Sequence, residues 1–129
     1  MKYLRLVYSS EGRLNRLRFF KYQVLFMLFS ALVAFVLAFF GALISGTSES
    51  ALITIPTEIW SFVASIGSIM INVRRLHDLN HTGWFVLIPI FAIFIVPIGL
   101  IIVLIFWLYL FFAPGTVGYN RYGADPLAY

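Results

Sequence analysis

Two long stretches of this chain carry no charged side chain at all. One runs from Tyr22 to Ser48 and the other from Leu79 to Asn120. Lipid is the solvent that fits such runs. A bilayer core of about 30 Å needs about 20 helical residues, and every backbone polar group within it must be paired inside the structure. That leaves an α-helical reading for apolar stretches of this length. Composition agrees: 62% of the residues are hydrophobic and 11% are charged, whereas a soluble domain carries roughly 25% charged residues. A chain of 129 residues has too much surface for its volume to hide that much apolar material in water.

The spacing predicts an all-α, integral membrane helical bundle in a single membrane domain. It has a basic flank over 1–21, spans at about 22–44 and 51–73, a third hydrophobic segment at 84–112, and a polar tail over 113–129. The stretch from Tyr3 to Tyr8 reads either as a segment lying on the membrane surface or as a loose tail. Ser45 to Ser50 form the first polar turn. The third segment has 29 residues, more than one span needs, and Pro89, Pro97 and Gly99 interrupt it. Two readings fit it: one kinked, tilted helix, or a hairpin of short helices at about 84–96 and 97–112. The hairpin is favoured, because a break at proline is cheap to accept. It would return the tail to the side of the 74–83 connector.

The flank charges predict orientation. Six basic residues precede the first span, the first loop carries Glu49, and Arg74 and Arg75 close the second span. The positive-inside rule then places the N-terminus and the 74–83 connector in the cytoplasm. The net charge of +4 suits anionic lipid head groups, so a nucleic-acid partner is not expected. The charge-rich start and the long first apolar run also argue against a cleaved signal peptide.

Three polar pieces lie between the spans: Gly12-Arg13-Leu14-Asn15-Arg16; Arg74-Arg75-Leu76-His77-Asp78 with Gly83-Trp84; and Pro114-Gly115-Thr116 with Gly118, Asn120-Arg121-Tyr122-Gly123 and Asp125-Pro126. In this order and spacing they resemble the domain-of-unknown-function 805 family (DUF805) of bacterial membrane proteins, over about residues 11–126. The chain departs from the family pattern at Leu17-Arg18, at Asn80-His81 and at Ala124. The resemblance implies a bacterial inner-membrane protein and no catalytic residue.

The motif cluster expected to matter is Arg13, Arg16, Arg74, Arg75, His77, Asp78, Asn120, Arg121 and Asp125. Ion pairs between the Arg74–Asp78 piece and Arg121 or Asp125 are expected if the tail returns. His77, Asp78 and His81 invite a metal reading, since His at i and i+4 share a helical face. Without cysteine or a nearby Glu, a hydrogen-bonded interfacial cluster is the better expectation. No cofactor is expected. Ser61, Ser65, Ser68 and Asn72 form a polar stripe on the second span. It is expected to pack on Ala31, Ala34 and Ala38, because small and hydroxyl residues let helices approach in lipid.

Three functions are open to such a chain, in this order. The first is a structural or interaction module, assembling with itself or with a membrane partner protein. The second is a small channel or transporter built as an oligomer. The third is a membrane enzyme or lipid-head-group binder using the His77, Asp78 and Arg cluster. An ionisable group in mid-membrane would favour transport, and none lies clearly there.

Overall fold

A computed structural model describes residues 8–47 and 50–128. Residues 3–7 of the expected surface segment, and Ser48 and Glu49 of the first turn, lie outside the described residues. The described residues form helices and no strand: α1 (Arg16–Ser45), α2 (Ala51–Asp78), a 3-10 turn (Gly83–Val86), α3 (Leu87–Ala92) and α4 (Ile98–Phe112).

Helix α1 starts before its apolar run because Asn15 caps it, accepting a hydrogen bond from the Arg18 amide at 2.9 Å. It stops at Gly46, which takes the left-handed conformation (φ 70°) that closes many helices. Ser50 then caps α2 through the Leu52 amide at 3.2 Å. Both helices are long and apolar enough to cross a membrane, and only 6% of each one's most apolar window is buried in the protein. A soluble core helix would bury that window. Here the apolar side chains face outward, as lipid requires.

Helices α1 and α2 run antiparallel. Gly41 meets Ile53, the Trp60 indole donates to the Ser30 carbonyl at 3.1 Å, and the Gln23 amide donates to Ser68 Oγ at 3.2 Å. Later residues of one helix thus meet earlier residues of the other.

The third hydrophobic segment is a hairpin, not one kinked helix. Helices α3 and α4 meet at Gly99, whose missing Cβ would stand 1.7 Å from the Ala92 carbonyl oxygen. At the open end His81 Nε2 lies 2.7 Å from the Tyr109 hydroxyl. The 93–97 turn between them includes the cis Val96–Pro97 bond. The tail therefore ends beside the 74–83 connector, at one end of the bundle. The best-buried apolar side chains gather there: Leu14, Phe19, Ile71, Leu76 and Leu110 are 0–2% exposed.

Only part of the expected serine and alanine faces is covered: Ser68, Ala34 and Ala38 are half-buried, and Ser68 meets Gln23 of α1. Ser61, Ser65 and Ala31 are exposed. Ser61 donates to the Thr57 carbonyl at 2.8 Å and Ser65 to the Phe62 carbonyl at 2.7 Å, so both hydroxyls are satisfied within their own helix. The α1 seam runs through Ile53 and Trp60 and takes in the stripe only at its Ser68 end. A substitution series follows from this. Ser65→Leu and Ala31→Leu should change stability by no more than about 0.5 kcal/mol. Trp60→Ala removes a cross-helix hydrogen bond and an edge contact with Phe29 at 5.8 Å, and should cost about 1–3 kcal/mol. Unfolding in mixed detergent micelles checks the order; a Ser65→Leu loss equal to that of Trp60→Ala would contradict the seam.

Candidate functional site

The three polar motifs converge on Asp78, at the last turn of α2. Its side chain is 2% exposed. Arg75, one turn earlier, reaches Asp78 Oδ2 at 2.5 Å. Arg13, from the segment before α1, donates through Nε to Oδ1 at 3.2 Å, and its Nη2 lies 3.1 Å from the same oxygen. One carboxylate is thus shared by two buried guanidinium groups.

Both arginines spend their remaining protons on backbone carbonyls. Arg75 donates to Leu110 at 2.8 Å, to Leu14 at 3.2 Å and to Ala113 at 2.5 Å. Arg13 donates to Gly118 at 2.7 Å, to Gly123 at 3.2 Å and to Thr116. The fork of five guanidinium donors suits this work, since a helix end and a turn-rich tail leave many carbonyls without partners. Backbone bonds tie the same pieces together: the Leu14 amide donates to the Arg74 carbonyl at 3.1 Å, and the Thr116 amide to the Asp78 carbonyl at 2.8 Å. Gly115 sits directly over the carboxylate. A Cβ there would come within 2.1 Å of Asp78 Oδ2, so only glycine lets the tail backbone approach this closely.

The other motif residues lie around this centre. The Asn120 amide donates to the His77 carbonyl at 2.9 Å, and Arg121 to the Asn80 carbonyl at 2.8 Å. Arg121 also lies over the Tyr122 ring at 5.0 Å. Arg74 joins through its carbonyl. Arg16 is exposed and makes a long 3.4 Å contact with the Phe112 carbonyl. Among the described residues, the ion pairs formed by the Arg74–Asp78 piece are Arg13–Asp78 and Arg75–Asp78, and the expected pairing with Arg121 or Asp125 is not among them. Asp125 instead accepts the Leu127 amide at 2.9 Å and the Gly118 amide at 2.8 Å. These amides hold its carboxyl below the ordinary aspartate range. Their contribution is present at neutral pH and is lost as pH falls through that lowered value.

The histidines diverge. The His77 ring stacks on Tyr122 with centroids 3.9 Å apart and planes 6° apart, while His81 turns to Tyr109. Asp78 faces the arginines. Among the described residues no three His, Cys, Asp or Glu side chains are grouped to hold a metal ion.

The pair that sequence reasoning missed is Arg13–Asp78, 65 residues apart. The available signal was Asp78 itself, the sole acid between Glu58 and Asp125, set where a helix end is already near lipid. An acid so placed needs cations from more than one element.

A family model described as a protein of unknown function (DUF805) matches residues 7–124. The chain belongs to this family. The match covers all but the last of the motif residues gathered around Asp78, namely Asp125. No curated protein and no solved structure matches the chain. What the DUF805 chain does must therefore be argued from its own site.

Proposed function

We propose that this DUF805 chain is a non-catalytic interaction module of the bacterial inner membrane. Its N-terminal flank, its 74–83 connector and its tail share the cytoplasmic face. The observation that carries this reading is the consumption of the motif charges. Arg13, Arg75 and Asp78 are engaged with one another and with backbone carbonyls of the same chain. A catalytic acid–base pair must instead present a proton to a substrate. The motifs work as a latch that makes one end of the bundle rigid, and the sides of the bundle remain for recognition. Leu32, Phe35, Phe39 and Phe40 on α1 are each more than half exposed. Arg16, Arg18 and Lys21 lie exposed at the start of α1, placed for anionic head groups. The channel reading has less support, because the exposed stripe hydroxyls are bound to their own helix.

The chain has no cysteine, so single-Cys variants report cleanly. In intact cells an impermeant maleimide should leave Ser10→Cys, Asn80→Cys and Val117→Cys unlabelled and should label Ser48→Cys. A photocrosslinking residue at Phe35 should then yield a protein adduct of defined mass, either a second copy or one membrane partner. Labelling at position 10 from outside overturns the orientation. Lipid adducts alone at position 35 overturn the interaction module.

A further inference from the structure

Arg16 lines two hollows at the latched end of the bundle. The first is an apolar groove between the start of α1 and the end of α4, walled by Leu17, Phe20, Phe111 and Phe112. Phe20 and Phe111 meet edge to face at 5.9 Å, and Leu17, Phe20 and Phe112 are more than half exposed. The second is a cavity of about 230 Å³ beside the tail, walled by Asn15, Thr116 and Asp125 with Arg16. A cavity this small brings both charges within reach of one head group. Neither Arg16 nor Asp125 is in an ion pair among the described residues. Arg16 is exposed. Its one hydrogen bond among the described residues is the long contact with the Phe112 carbonyl, where the groove passes into the cavity. Each oxygen of Asp125 accepts one amide, which leaves lone pairs on both and keeps the group ionised at neutral pH. Asp78 also borders the cavity, but its charge is spent on Arg13 and Arg75. Arg16 precedes the uncharged run at Tyr22 by about 9 Å of helix, which is head-group depth.

We propose that the groove and the cavity together bind one phospholipid of the phosphatidylethanolamine class. Its phosphate meets the Arg16 guanidinium, its ammonium donates to Asp125, and an acyl chain lies along Phe20 and Phe112. Charge complementarity selects this occupant. A cation and a carboxylate on the walls of one cavity match a zwitterion. The guanidinium fork suits phosphate oxygens, and a primary ammonium brings N–H donors to the carboxylate. Phosphatidylglycerol would satisfy Arg16 but leave Asp125 facing an anion. Phosphatidylcholine has no N–H to donate, and its methyl groups need room in a cavity already below the roughly 300 Å³ at which drug-sized sites begin. A free phosphate ester would leave the apolar groove empty. The site goes beyond the interaction reading and stands whichever side of the membrane this end faces.

The test uses the full chain in mixed micelles holding equal amounts of phosphatidylethanolamine, phosphatidylcholine and phosphatidylglycerol with the same acyl chains. Native mass spectrometry counts the lipid that stays bound. Phosphatidylethanolamine should be retained roughly tenfold over each of the others, the value of one charge-assisted hydrogen bond. Arg16→Gln alters an exposed side chain and should cut that retention by about the same factor with the melting temperature unchanged. Asp125→Asn should turn the preference toward phosphatidylglycerol, because Arg16 then acts alone. Loss of all three lipids alike, the mark of a merely structural carboxylate, overturns the pairing. Should Asp125→Asn fail to fold, Arg16→Gln decides. Soluble phosphoethanolamine in excess should displace none of the bound lipid; displacement would assign the site to the free head group and overturn the lipid. Equal retention of the three lipids by the natural chain, or retention unchanged in folded Arg16→Gln, overturns the proposal.

Discussion

Asp78→Ala should cost about 3–5 kcal/mol, enough to unfold the latched end of the bundle. The substitution removes the one counter-charge that Arg13 and Arg75 share. Both guanidinium groups then remain buried, at 7% and 0% exposure, facing each other with no acid between them. Neither can leave, because each also holds carbonyls from the tail. Asp78→Asn keeps the size and one acceptor oxygen and should fall between Ala and the natural residue. Unfolding in mixed micelles gives the magnitude, and protease cleavage within 114–128 shows whether the tail lets go first. A loss under about 1 kcal/mol for Asp78→Ala, the range of an exposed ion pair, would mean that the carboxylate is not the centre of the latch.

The second large effect is expected at the far end of the hairpin. Gly99→Ala places a Cβ 1.7 Å from the Ala92 oxygen and 2.6 Å from its carbonyl carbon. The obstacle is backbone and cannot rotate away. Helices α3 and α4 must separate, at a cost of about 3 kcal/mol, the upper part of the usual overpacking range. Ala92→Gly in the same chain should bring no rescue, since it leaves the carbonyl in place. That double variant is the decisive measurement: recovery of stability would show that side-chain crowding, not backbone approach, sets the hairpin. Gly99→Ala should also weaken the latch indirectly, because α4 delivers the Leu110 and Ala113 carbonyls to Arg75.

The apolar runs made both long helices legible, and Pro97 with Gly99 marked where the third segment turns. The helix ends were less legible. Helix α2 continues to Asp78, five residues past the expected span, because hydropathy reports depth in lipid while the helix ends only where its hydrogen bonds do. Helix α1 begins at Arg16 for a local reason, the Asn15 cap. The motif residues were identifiable as a set, but their partners were not. Which acid meets which arginine depends on the rotation of α2 and on the close approach of Gly115, and neither leaves a periodic trace. The same rotation hides the α1 seam. Serine spacing marked a helical face correctly, yet Trp60 and Ile53, unremarkable as a pattern, decide which face meets α1.

The carbonyls that Arg75 binds have an implication for biogenesis. A chain made from its N-terminus delivers α1 and α2 to the bilayer well before residues 110–123 exist. Until then Arg13, Arg75 and Asp78 have one another but lack the Leu110, Ala113, Thr116, Gly118 and Gly123 oxygens that complete their shells. The latch at the end of the helical pair can close only when these tail carbonyls dock. A chain stopped at Phe112 would leave Arg13 and Arg75 without the Ala113, Thr116, Gly118 and Gly123 oxygens that they bind in the complete fold.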